Sequence, residues 1–263
     1  MPIEARELPI QCVTPEPGEF WFGYYDKFPW DASGQRLLAM RAGFADRQPD
    51  GNDRLALGLV NLREGCRFEP FAETTAWCWQ QGCMLQWLPQ APDRLVLFNA
   101  CRDGRFVAVI YDVNEGREVR VLPRPVYCVS PDGRQGLSAN FSRLAVMRPG
   151  YGYPGPLDPC LDAQTPDRDG IWLMDLERGT ADLVLSVAQV AAVQHEEEME
   201  GVAHYFNHLT FNPDGSRFVF FHLYLRRHIR RLVDDSFSRI RYNHRVLDKK
   251  HGQDNKPQHM DKQ

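Results

Sequence analysis

Residues 23–41 read GYYDKFPWDASGQRLLAMR, and residues 204–222 read HYFNHLTFNPDGSRFVFFH. The two stretches align without a gap. Tyr24 falls on Tyr205, Asp26 on Asn207, Lys27 on His208, Trp30 on Phe211 and Gly34 on Gly215. In each, a short apolar run meets Pro, Asp, Ser and Gly, and a second apolar run follows. Pro presets φ, Asp folds its carboxylate onto its own turn, and Gly accepts a positive φ, so the pattern predicts two strands joined by a tight turn. The turns are expected at Ser33-Gly34, Asp132-Gly133 and Asp214-Gly215.

Two further copies lie between these. PVYCVSPDGRQGLSAN (125–140) puts Gly133 at the same point, and in MLQWLPQAPDRLVLFN (84–99) Pro92 replaces the glycine. Strand-like segments follow the hairpins: RLALGLVNL and FEPFAET, FVAVIYDV and REVRVLP, GIWLMDL and ADLVLS. That makes four strands per unit, recurring at positions 34, 92, 133 and 215. Four-stranded units at such a period are the signature of β-propeller blades. The predicted fold is therefore all-β, a propeller of antiparallel four-stranded blades. About three and a half blades are present, because the repeat grammar stops after Leu225.

Three segments follow from this reading. Residues 1–19 lead in, 20–225 form the partial propeller, and 226–263 form a basic tail expected to be poorly ordered. The formal charge runs from −10 in the first 225 residues to +6 in the tail. The interrupted fourth unit reads as the front of a longer, truncated propeller whose edge strands, RFVFFHLYL above all, invite self-association. A short helical insertion is expected near 187–199. Ser186 and Gln189 there have capping-box spacing, and Val187, Val190 and Ala191 share a face.

The composition narrows the function classes. The chain has 263 residues, 43% hydrophobic and 25% charged, with a net charge of −4. That balance suits a soluble globular protein and gives no reason to expect nucleic acid as partner. No signal peptide or membrane-spanning run is visible, so the expected compartment is the cytoplasm. Seven cysteines contain no C-x-x-C pair and are expected to remain reduced.

The hairpins, with GYYDKFPWD and HYFNHLTFNPDGSRFVFFH, resemble TolB-like propellers, and in particular the branch related to oligogalacturonate lyases. The resemblance covers about residues 20–225. It implies a seven-bladed fold and β-elimination on acidic sugar chains, with manganese held by histidines and a glutamine. The Gln followed closely by two His that a later blade supplies in that family has no counterpart in this sequence. The expectation is therefore a binding module for an acidic oligosaccharide or a protein partner, without a cofactor. The alternative is a lyase that uses manganese.

The repeat also sorts the candidate residues. His222 occupies the position of Arg41, Asn99 and Asn140, so each second strand ends on a polar group. His204 and His208 occupy the positions of Gly23 and Lys27. Two readings stay open: the strand-end groups fix neighbouring blades to one another, or they face a ligand at the rim. The candidate ligand residues are Lys27, Arg41, Asn99, Asn140, Asn207, His208 and His222. The candidate metal ligands are His204, His208 and His222. Arg102 and Arg143 would suit a sugar carboxylate, since guanidinium pairs with it in bidentate geometry. Tyr24, Tyr25, Tyr127 and Tyr205 offer flat faces, and RPGYGYPGPLDP (148–159) reads as a long loop over the same end.

Overall fold

The computed structural model describes residues 8–15 and 17–225, together with the backbone of 243–248. Four antiparallel sheets follow one another along the chain, each a simple meander. Blade 1 holds β1 (Glu19–Trp21), β2 (Arg36–Ala42), β3 (Leu55–Asn61) and β4 (Arg67–Thr74). Blade 2 holds β5 (Gln86–Trp87), β6 (Leu95–Arg102), β7 (Arg105–Asp112) and β8 (Arg117–Leu122). Blade 3 holds β9 (Cys128–Val129), β10 (Gln135–Ser138), β11 (Gly170–Asp175) and β12 (Thr180–Ser186). Blade 4 holds β13 (Ala203–Phe211), β14 (Arg217–Leu225) and β15 (Asn243–Asp248). The chain is a partial β-propeller.

The hairpin turns form as the sequence requires. The Asp31 carboxylate accepts from the Ser33 hydroxyl and from the backbone N–H of Gln35 and Arg36. The Arg36 guanidinium, 2.9 Å from the same carboxylate, and those bonds hold its pKa below the ordinary carboxylate value against the opposing effect of burial. Gly34, Gly133 and Gly215 all sit at φ between 66° and 71°, where a Cβ is strained. Successive turns touch: Ala32 N–H donates to Pro92 O (3.1 Å), and Gln90 Nε2 donates to Gly133 O (2.6 Å). Blades 1, 2 and 3 are thereby stacked in chain order.

Period-two alternation builds the core between blades. Leu38 and Met40 of β2 join Val96 and Phe98 of β6 in one buried cluster between blades 1 and 2. Leu97, on the other face of β6, packs with Leu122, Val126 and Met174 toward blade 3. Leu137, Ile171, Phe206 and Phe220 close blade 3 on blade 4. Leu37 and Ala39 face the other way, packing with Phe68 under Val13 and Phe20.

Three features depart from the sequence reading. Blade 4 does not stop after β14. The backbone of β15 pairs along it from Arg217↔Asp248 to His222↔Asn243 and occupies hydrogen-bonding groups that an edge strand leaves open. The rest of the basic tail lies outside the described residues. Second, GYYDKFPWD is not a strand. The chain leaves blade 1 after Trp21, turns with Lys27 N–H on Tyr24 O, and rejoins β2 through the Trp30↔Leu37 bridge. Pro29 cannot donate to a ladder, which favours the excursion. Third, a helix that the repeat does not announce, α1 (Phe141–Met147), follows β10, and Asn140 caps it by accepting from Arg143 N–H. The expected insertion is α2 (Val187–Ala191), with both capping-box bonds in place and the predicted three residues buried.

Candidate functional site

β1, β5, β9 and β13 are the first strands of their sheets, and the segments that interrupt or precede them converge. The centre is the Tyr127 hydroxyl, just before β9. It accepts from Gln81 Nε2 and from the His208 backbone N–H (3.2 Å), and donates to Asn207 Oδ1 (2.8 Å). Gln81 comes from the approach to β5, while Asn207 and His208 come from a bulge in β13, where the register slips between Asn207 and Thr210. The excursion of blade 1 completes the ring, with Tyr24 Oη 3.3 Å from His208 Nδ1. Lys27 is buried and paired with Asp26 at 2.7 Å.

The bulge is what aims His208. Its φ is +51°, a left-handed conformation that few non-glycine residues adopt. The imidazole packs on Phe221 (centroids 4.8 Å) and lies near the rings of Tyr24, Tyr25 and Tyr151. Burial, reinforced by the Arg148 charge, pushes its pKa down to about 4, so the ring is neutral at pH 7. Burial pushes the hydroxyls of Tyr24 and Tyr127 upward, so both remain protonated donors. Gln81 Oε1, Asn207 Nδ2 and Arg148 Nη1 are buried with no hydrogen-bond partner among the described residues. Buried polar atoms rarely go unpaired, so this cluster retains unused hydrogen-bonding capacity. Tyr25, by contrast, is 74% exposed at the same place.

The sequence-predicted residues divide between this ring and the frame that holds it. Lys27, Asn207 and His208 are in the ring. Asn99 is fully buried away from solvent: it donates to Val126 O and Tyr153 Oη (2.9 Å each) and accepts from Val126 N–H (2.7 Å). It clamps blade 2 to blade 3. Asn140 donates to Asp158 and Asp169 besides capping α1. Arg41 is exposed and lies over Phe68 on the far side of blade 1. Arg143 is no candidate for a sugar carboxylate. It is buried, paired with Asp158 at 3.0 Å, and also donates to the carbonyls of His204, Cys160, Ala163 and Gln164. Arg102 is exposed and paired with Glu118.

The three candidate metal ligands do not converge. His204 and His222 stack on one face of blade 4 and hydrogen-bond to each other, Nδ1 to Nε2, at 2.8 Å. His204 Nε2 also lies 3.2 Å from Met199 O. His208 packs on Phe221, which alternation places on the opposite face from His222. Among the described residues, no group of three His, Cys, Asp or Glu side chains is placed to hold a metal ion. This donor set does not fit manganese as the resemblance implies it.

Gln81, Tyr127 and Tyr151 carry ring functions that the repeat did not assign together. The 148–159 loop delivers Tyr151 to His208, while Tyr153 is buried against Phe141 at 4.2 Å. None of the seven cysteines forms a disulfide. Among the described residues, no helix is long and apolar enough to cross a membrane.

No family model and no curated protein matches this chain. Among solved structures it is similar to TolB from Acinetobacter baumannii, with 14% identity, a TM-score of 0.46, and coverage of 91% of this chain and 43% of that one. It is also similar to an oligogalacturonate lyase from Vibrio parahaemolyticus, with 13% identity, a TM-score of 0.48, and coverage of 80% and 48%. An oligogalacturonate lyase in complex with manganese follows, with 14% identity, a TM-score of 0.37, and coverage of 81% and 65%. The chain spans less than half the length of the first two. Both propellers named by the sequence resemblance thus recur among the structures it is similar to.

Proposed function

We propose that this protein is a binding module for an acidic glycan, taken up where the inner segments of four blades converge, without catalysis. One observation carries the reading: Gln81 Oε1 and Asn207 Nδ2 are buried and unpaired among the described residues, beside the fully engaged Tyr127 hydroxyl. A sugar, with many hydroxyls, can supply both an acceptor and a donor there. The exposed ring of Tyr25 offers a face for the pyranose, and Arg148, its guanidinium 3.8 Å over the Tyr151 ring, offers charge for a carboxylate. Calorimetric titration with oligogalacturonate and with its methyl ester tests this. The acid is expected to bind at least tenfold more tightly, and Arg148→Gln to remove that preference. Equal binding of acid and ester would overturn it.

A second reading, a uronate lyase, is favoured by the state of His208. A neutral imidazole at pH 7 can take, as a weak base, the proton beside a uronate carboxylate. The electron pair left behind forms the double bond as the bond to the leaving sugar oxygen breaks, and that oxygen takes a proton from solvent. Ultraviolet absorbance of the unsaturated product, present in the native chain and lost in His208→Gln, would favour the lyase over the binding module.

A further inference from the structure

Away from the ring, a cleft of about 900 Å³ opens between blades 2 and 3. Its lining includes the stiff apolar residues Pro123, Pro125 and Pro159 and Leu157, which is 83% exposed. The same lining carries the cations of Arg105, Arg124 and Arg168 and the carboxylate of Asp169. Arg124 decides the chemistry. Its guanidinium lies 3.4 Å over the ring of Trp172, so stacking uses one face of the plane. The five N–H donors lie around the edge of that plane, and none is given to a protein acceptor among the described residues.

A half-buried guanidinium in this condition carries a desolvation cost, and burial lowers its pKa, with Asp169 and Cys160 opposing that only in part. Asp169 is itself engaged with Asn140. Stacking also fixes the orientation of the fork, which limits the entropy lost when it closes on an anion. The Trp172 indole N–H is buried with no partner among the described residues, a second unspent donor in the cleft lining.

We propose that this cleft is a second binding site, for a small organic carboxylate with an apolar body, its carboxylate held by the edge of Arg124 and its body against the lining prolines and Leu157. The site is independent of the glycan reading, since none of its residues belongs to the ring around Tyr127. Benzoate is the probe, with benzamide as the neutral isostere and inorganic phosphate as an anion without an apolar body. Calorimetry and ligand-observed NMR on the full chain are expected to show saturable benzoate binding at one site. Benzamide and phosphate should each bind at least tenfold more weakly, and Arg124→Gln should weaken benzoate at least tenfold. Arg105→Gln, at an exposed position, should weaken it severalfold and keeps the test open if the first variant does not fold. The proposal is overturned if benzoate does not saturate, if benzamide or phosphate matches it, or if folded Arg124→Gln binds as the native chain does.

Discussion

The polar residues that end the second strands and those that interrupt the inner strands look alike in sequence and differ in what they have left to give. Asn99 uses donor and acceptor alike on Val126 and Tyr153, and Asn140 uses its own on Arg143, Asp158 and Asp169. Asn207 accepts from Tyr127 and from its neighbour's N–H, yet its Nδ2 is unpaired among the described residues. A buried amide with every bond filled is a structural clamp. One with a bond to spare is where a ligand gains most. The difference arises from backbone geometry: Asn99 sits on the regular strand β6 and Asn140 on the N-terminus of α1, whereas Asn207 and His208 sit on a bulge.

The comparison breaks most easily at the clamps. Asn99→Ala leaves the Val126 N–H, the Val126 carbonyl and the Tyr153 hydroxyl without their partner. Each unpaired buried group costs about 1–3 kcal/mol, so a loss on the order of 4 kcal/mol is expected in chemical denaturation. Arg143→Met should cost a similar amount, since it leaves Asp158 as an uncompensated buried charge. A loss below about 1 kcal/mol for either would mean that these filled side chains do not hold the blades together.

The ring should respond in the opposite proportion. Tyr127→Phe removes the hydroxyl that joins Gln81, Asn207 and His208, at an expected cost of about 1–2 kcal/mol in stability. Its larger effect should be at least a tenfold loss of oligogalacturonate affinity by calorimetry. An intact affinity would place the ligand elsewhere than beside this hydroxyl.

How much of this was legible in the sequence follows from the same contrast. Hairpins are local. Asp31 and Gly34, or Asp214 and Gly215, fix their turns within five residues, and the repeat could be read by eye. The ring is not local. Gln81, Tyr127 and Asn207 are joined by hydrogen bonds that span 46 and 80 residues, and only the assembled blades bring them together. The excursion at Tyr24–Pro29 and the bulge at His208 occupy aligned positions, but alignment conceals that one leaves the sheet and the other stays within it. Pro29, with no N–H, was the available signal. The pairing of His204 with His222, and the separation of both from His208, follows from strand alternation once the bulge is known. Without it, three histidines in nineteen residues look like one cluster.

Acid should sharpen the difference between the two faces of blade 4. The pKa of His208 falls to about 4, and that of His204 is lowered as well, both chiefly by burial. A histidine whose folded pKa lies below its unfolded value of about 6.5 binds fewer protons when folded. Its contribution is fully present above pH 6.5 and is lost as pH falls toward 4. Melting temperature should therefore drop through that window. His208→Gln should flatten the part due to the ring and leave the part due to His204. A melting temperature that holds steady between pH 7 and pH 5 would contradict the burial of both imidazoles.

The smallest effect separates the backbone at position 208 from the side chain it carries. At φ +51° a β-branched residue is strained, whereas asparagine enters the left-handed region readily. His208→Asn should therefore change stability by only about 0.5 kcal/mol, the relieved strain offsetting the lost packing on Phe221, whereas His208→Val should cost about 1–3 kcal/mol. The two variants remove the same imidazole, so lost ring contacts are common to both and the gap between them reports the bulge. If both melt together, the left-handed turn imposes no constraint, and the aim of residue 208 at Tyr24 comes from packing alone. If only the valine variant falls, the bulge is a fixed element of blade 4. The asparagine variant then becomes the clean test of what the imidazole itself contributes to glycan binding.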